Sequence, residues 1–137
     1  MFGHLLNNKT LLKLGLDISF YKYRKDDEIP EEIGYFRKVN FLVGFFEEYG
    51  EVENCKPLVI HPEYIDDLKD RCEEVLEDHE EAGTLLPTCP GFFFGTYEYD
   101  EWYFKSVEEV KEFCDVLLDE EFPDLQEGDY IAFEIWY

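Results

Sequence analysis

Two stretches of alternating polarity, one near each end of the chain, constrain the fold more than anything between them. In LGLDISFYKYRK (residues 14–25), Leu14, Leu16, Ile18 and Phe20 fall on one face and Gly15, Asp17, Ser19 and Tyr21 on the other. YIAFEIWY (130–137) sets Tyr130, Ala132, Glu134 and Trp136 against Ile131, Phe133, Ile135 and Tyr137. A period of two sustained over such lengths marks a strand with one face in a core and the other outside it. The sequence therefore predicts that the N- and C-terminal strands pair with each other at the centre of one small sheet.

The segments between them read mostly as helices. RKDDEIPEE turns the chain, with Pro30 at a first helical position and Glu31 and Glu32 in a first turn, predicting a helix to about Tyr49 before Gly50. On its wheel Tyr35, Phe36, Val39, Leu42, Val43 and Phe46 form the core face. Phe41 and Phe45 fall opposite, beside Gly34, Gly44, Arg37 and Lys38, so they are expected at an interface between copies, making a homo-oligomer. KPLVIHPEY predicts a strand at 57–60 and a helix from Pro62 to about Glu81, with an apolar stripe of Ile65, Leu68, Cys72, Val75, Leu76 and His79. TLLPTCPGFFFG reads as a loop with a short strand at Phe92–Phe94. Ser106 with Glu109 forms a capping box for a third helix, running to about Glu120. The expected fold is α/β of the α+β kind: a single small sheet with about three helices packed on it. Residues 1–137 read as one domain, with 1–13 as a flexible or interface-forming arm.

Charge narrows the function. The net charge of −22 is unevenly laid down: residues 1–49 hold eight acids and seven Lys/Arg, whereas residues 50–137 hold 26 acids and five Lys/Arg. Such a chain repels duplex nucleic acid and anionic membrane and favours basic partners. No apolar run approaches the about eighteen residues of a membrane span, and MFGHLLNNKTLLKLGL is too interrupted by Asn and Lys for a signal sequence, so a cytoplasmic location is expected. Cys55, Cys72, Cys89 and Cys114 form no C-x-x-C pair, and three histidines accompany them, so no metal site is expected. Cys72 and Cys114 belong on apolar helix faces as small buried hydrophobes. The chain contains no G-x-x-x-x-G-K-[ST], G-x-S-x-G, H-E-x-x-H or calcium-loop spacing, and the expectation is a protein that is not an enzyme and uses no cofactor.

GFFFGTYEYDEWYF (91–104) places eight aromatic residues in fourteen positions. In an extended run successive side chains alternate, so Phe93 faces away from Phe92 and Phe94 and is available to stack on a planar ligand. Tyr97, Tyr99, Asp100, Trp102 and Tyr103 add hydroxyl, carboxylate and indole N–H groups to flat rings, a mixture found in small-molecule sites and at protein interfaces. Thr88 and the amides around Gly91 suit an anion. On the first helix, Arg37 offers a planar fork for carboxylate or phosphate, Lys38 a second charge, and Asn40 amide hydrogen bonds, with Tyr35 alongside. Against this, Arg37 and Lys38 equally fit a solvated basic pair offsetting Glu32 and Glu48, and the rings fit core plugs.

EIGYFRKVN (32–40), LLPTCPGFFFG (85–95) and YDEWY (99–103), in this order, resemble a family of small, uncharacterised phage and prophage proteins. Its members carry E-I-G-Y-W-R-K-x-N, L-L-P-T-x-x-G-F-F-F-G and Y-D-E-x-Y motifs. The resemblance covers nearly the whole chain and implies a phage origin. The chain has Phe36 where the family usually has Trp, and it lacks the common final S-S-W.

Two functions are expected from these readings, both concerned with evasion of host defence inside an infected bacterium. In the first, the protein captures a small anionic or nucleotide-like ligand between the first helix and the aromatic loop. In the second, it is an acidic inhibitor of a basic host defence protein, of the anti-CRISPR or anti-restriction type, whose carboxylates imitate nucleic-acid phosphates.

Overall fold

The computed structural model describes residues 15–91 and 96–137. Strand β1 (Asp17–Tyr23) is followed by β2 (Glu31–Arg37), helix α1 (Phe41–Glu47), β3 (Leu58–Ile60) and helix α2 (Pro62–Glu77). A tight turn at His79–Glu81 leads into the short α3 (Ala82–Leu85). Helix α4 (Glu101–Val116) then runs through a π turn at Leu117–Glu121 into α5 (Phe122–Asp124), and β4 (Tyr130–Trp136) closes the chain.

The described strands form one antiparallel sheet in the order β2-β1-β4-β3. The first and last strands are its central pair, with Ile18 opposite Ile135 and Phe20 opposite Phe133. Leu16, Ile18, Phe20, Ile131, Phe133 and Ile135 bury their side chains on the helix-covered face, as their alternation requires. Phe20 is the hub: its ring meets Phe36, Phe46, Phe113 and Phe133 at centroid distances of 4.7 to 6.1 Å. The fold is thus a mixed α+β sheet with helices on one face, as the alternating ends predict.

The segment 31–37 corrects the sequence reading: it is a strand. Its pattern satisfies either period, and the deciding term is long-range, because β1 has a free edge whose N–H and C=O groups need partners. β2 supplies them, pairing Phe36 with Ile18 and Gly34 with Phe20. Gly34 is opposite Phe20 because the Phe113 ring of α4 lies against it; a Cβ there would come within 2.5 Å of that ring. Tyr35, expected on the core face, points outward and is 52% exposed.

Lys38 sits at φ 59°, a left-handed turn that ends the strand and resets the phase of the following helix. Its N–H donates to the Leu16 carbonyl at 2.7 Å. α1 therefore starts only at Phe41 and is buried on nearly every side: Phe41, Leu42, Val43, Phe45 and Phe46 are all at most 2% exposed. Phe41 packs on Tyr103, and Phe45 on Phe46, Tyr49 and the Arg71 guanidinium. Phe41 and Phe45 are core residues, which removes the ground for an interface at those positions.

β3 and the start of α2 fall where the sequence puts them, and Ile65, Leu68, Cys72 and Val75 form the buried stripe. α4 begins five residues before the expected capping box: Asp100 is the N-cap, its carboxylate accepting from the Tyr103 N–H at 3.0 Å. Ser106 is inside the helix and buried. The strand expected at Phe92–Phe94 and the arm at 1–13 lie outside the described residues.

Candidate functional site

The polar groups singled out in the sequence come to rest in two places, and in both they are used by the fold. On the sheet face away from the helices, the Tyr35 hydroxyl donates to Asp17 at 2.5 Å and Arg37 Nη1 donates to the same oxygen at 3.2 Å. Asp17 faces Arg37 across the β1–β2 ladder, so strand register builds this cluster. Lys38 lies in the turn just beyond.

The second place is the base of the aromatic loop. Asn40 is 2% exposed, donates from Nδ2 to the Thr96 carbonyl at 2.9 Å and accepts from the Cys89 N–H at 3.1 Å, so one amide clasps both feet of the loop. Thr88 repeats the device: its hydroxyl donates to the Tyr97 carbonyl at 3.0 Å and its N–H to the Tyr99 oxygen at 3.2 Å. Below them the buried Tyr103 hydroxyl donates to the Leu86 carbonyl at 2.7 Å, and burial pushes its pKa up. Asp100 caps α4, so the helix N-terminus that would attract an anion already holds a carboxylate. Tyr97, Tyr99 and Trp102 remain 53%, 42% and 43% exposed. Phe93 lies outside the described residues.

Beside this loop base opens a cleft of about 810 Å³, lined by Leu76, His79, Tyr99, Asp100, Glu101, Phe104, Lys105 and Glu108. The His79 ring stacks on Phe104 with centroids 3.7 Å apart and planes at 11°. Of its lining, Tyr99 and Asp100 were expected at a site. Leu76 and His79 were expected together on the apolar stripe of α2, and the rest were legible only with the correct start of α4: with Asp100 as N-cap, Glu101, Phe104, Lys105 and Glu108 fall at helical spacings of three and four on one face.

The paired helices α2 and α4 form the third feature. Lys69, Arg71 and Lys111 point into packing seams, whereas Lys105 is exposed beside the cleft: Lys69 and Lys111 both hold Asp115, at 2.9 and 3.2 Å. Arg71 is forked between Glu48 and Asp67 at 2.7 and 3.1 Å. The Lys69 hydrogen bond, with Lys111 behind it, holds the Asp115 carboxyl below its usual range. The outward carboxylates are treated differently. Asp66, Asp70, Glu74, Glu77, Glu109 and Glu112 are exposed, and none pairs with a Lys or Arg among the described residues. Neither helix has a basic residue in its last turn, where one would complement the dipole.

Among the described residues no group of three or more His, Cys, Asp or Glu side chains could hold a metal ion, and no buried side-chain N or O lacks a hydrogen-bond partner. Cys72 and Cys114 are buried between α2 and α4, and burial pushes both thiols up, the second to about 12. No helix among the described residues is long and apolar enough to cross a membrane. Comparisons of the chain with protein-family models, with curated proteins and with solved structures return no match.

Proposed function

We propose that this is a non-enzymatic binding protein of phage type that offers the outer face of the α2–α4 pair to a basic, nucleic-acid-binding surface of a host defence protein. The observation that carries the reading is the placement of unpaired carboxylates where they lower stability. Glu74 and Glu77 sit at the negative end of the α2 dipole, next to Asp78, with no cation in that turn. Like charges one turn apart, Asp66 with Asp70 and Asp70 with Glu74, add repulsion. Three of the four cations on the two helices, Lys69, Arg71 and Lys111, are used inside the seams, and Lys105 is left among the outward carboxylates; local rules are broken in this way where function requires it.

The geometry suits the imitation of a phosphate strand. α2 carries seven carboxylates over sixteen residues. Asp67 is held by Arg71 in the seam, and the outward Asp66, Asp70, Glu74 and Glu77 repeat about every 5.5 Å along the axis at about 1.5 Å rise per residue, sparser than the about 3.4 Å per charge of one strand of B-form DNA but of the same order. Capture of a small anion is the weaker reading, because Tyr35, Arg37, Asn40, Thr88 and Asp100, on which it calls, are engaged within the fold.

The test is competition with DNA. The wild-type protein is expected to displace duplex DNA from a DNA-binding defence nuclease of the host, with an effect that weakens steeply as salt rises. Replacing Asp66, Asp70, Glu74 and Glu77 together by Lys should abolish displacement while leaving the circular dichroism spectrum and the melting transition in place. A folded quadruple variant that still displaces DNA as well as the wild type overturns the reading.

A further inference from the structure

The cleft beside α4 adds chemical selectivity to this charged face. We infer that it receives an arginine side chain of the basic partner, an inference that rests on the proposed function. Its floor is aromatic: Tyr99, held by its hydroxyl to the Thr88 amide, and the stacked His79–Phe104 pair, with Leu76 beside them. Its rim is acidic. Glu101 and Glu108 lie three residues before and four after Phe104, so they share its helix face and the cleft lining, and both are exposed. Asp100 is held in its cap and contributes field rather than a free oxygen. Lys105 is the cation of the lining, so carboxylates outnumber it.

A flat floor with carboxylates on either side matches a guanidinium, which stacks through its plane and donates through its edge. An ammonium has no plane to stack and is more strongly hydrated, so it gains less from the floor. The chain already builds this arrangement internally. The Arg71 guanidinium lies 5.0 Å above the Phe45 ring centroid and is forked between two carboxylates, Glu48 and Asp67. The cleft brings rings and two carboxylates together again at the surface, with the exposed His79 ring lying over Phe104.

The experiment titrates the whole protein with hexa-arginine and with hexa-lysine by isothermal calorimetry at low salt. Wild type is expected to bind hexa-arginine about tenfold more tightly, a ratio within the range of one desolvated cation–ring contact. Glu101→Gln with Glu108→Gln, both exposed and without an ion pair among the described residues, should cut that preference to about twofold with the melting transition retained, and Tyr99→Ala should do the same through the floor. The quadruple Lys variant of α2 should weaken both peptides and keep their ratio. Equal binding of the two peptides by wild type, or a preference unchanged by the Gln pair and by Tyr99→Ala, overturns the cleft while leaving the carboxylate face standing. If the α2 variant alters neither affinity and the arginine preference persists, the carboxylate face falls and the cleft stands. No binding of either peptide overturns both.

Discussion

The sheet face away from the helices and the outer face of the α2–α4 pair carry carboxylates in opposite circumstances. On the sheet, Asp17 accepts from Tyr35 and Arg37, Glu32 from the Ser19 hydroxyl at 3.3 Å, and Glu134 from the Tyr23 hydroxyl at 2.8 Å. On the helices, Asp66, Asp70, Glu74 and Glu77 face water with no cation among the described residues. The strand register brings hydroxyls across to carboxylates on neighbouring strands, whereas a helix row repeats its own charge every turn. A carboxylate in the first setting holds the fold together; one in the second works against it. The same residue type therefore has to be judged by what faces it.

The largest expected effect comes from breaking the sheet side. Glu134 is 7% exposed and its neighbour Tyr23, stacked on Tyr130 at 4.8 Å, supplies its hydrogen bond. Tyr23→Phe keeps the ring and leaves a nearly buried carboxylate short of a donor, which should lower stability by about 2 kcal/mol in urea unfolding. An unchanged midpoint would show that water replaces the hydroxyl and that the sheet carboxylates are as indifferent as the helical ones. Phenols on carboxylates also set an alkaline limit. Burial first, and then the hydrogen bond to Asp67, raises the Tyr49 pKa to about 12, and burial with Asp17 raises that of Tyr35. A pKa raised in the folded state contributes stability that is whole below the unfolded value near 10 and is lost as pH climbs towards about 12. Tyrosinate absorbance should accordingly show a late step that coincides with unfolding.

The next effect belongs to the seam, where helical carboxylates do have partners. Asp115→Asn leaves Lys69 and Lys111 facing each other without an anion between them. These groups are about one-third exposed, so solvent screening limits the loss to about 1 kcal/mol. The pKa of Asp115 is lowered chiefly by Lys69, and that of Asp124 by Lys22 and Arg24. Depressed folded values mean stability that is present above the ordinary 3.8 and is lost as pH falls through the folded pKa, so acid unfolding should begin below about pH 4. The Asn variant should show a shallower acid limb, and an identical limb would remove Asp115 from the account.

These contrasts mark how far the sequence can be read. β1, β4 and most of α2 were legible because one period runs through each without competition, though α2 ends at Glu77 rather than near Glu81 and leaves His79 exposed; β3 was legible from its apolar run between Pro57 and Pro62, and pairing of the end strands followed from the two alternating faces. β2 was not, because EIGYFR satisfies a helical wheel and a strand alike, and the free edge of β1 decided between them. The misplaced helix then carried Phe41 and Phe45 to the wrong side, since the left-handed Lys38 resets the phase and has no mark in composition. At the site, the residues around 97–103 were rightly grouped with Asn40 and Thr88, but their bonds run between positions up to 56 residues apart. Distance of that kind is invisible to spacing rules, so a clasp and a ligand contact look alike in the chain.

The smallest expected effect is the one whose sign tests the comparison most directly. Glu77 ends α2, is exposed and has no cation in its turn. Glu77→Gln keeps the shape of the side chain and removes only its charge. If the helical carboxylates are unsupported by the fold, losing one from the negative end of the dipole should stabilise the protein, by a few tenths of a kcal/mol. The gain should fade near 1 M salt, where the screening length shrinks to about 3 Å. Over the same series, affinity for hexa-lysine should fall, because the partner loses a charge that the fold did not need. Stability and binding would then move in opposite directions under one substitution, which the sheet carboxylates cannot do. A Glu77→Gln variant that is less stable than wild type, with the deficit persisting in high salt, would show that this carboxylate has a structural partner after all and that the two faces differ in degree only.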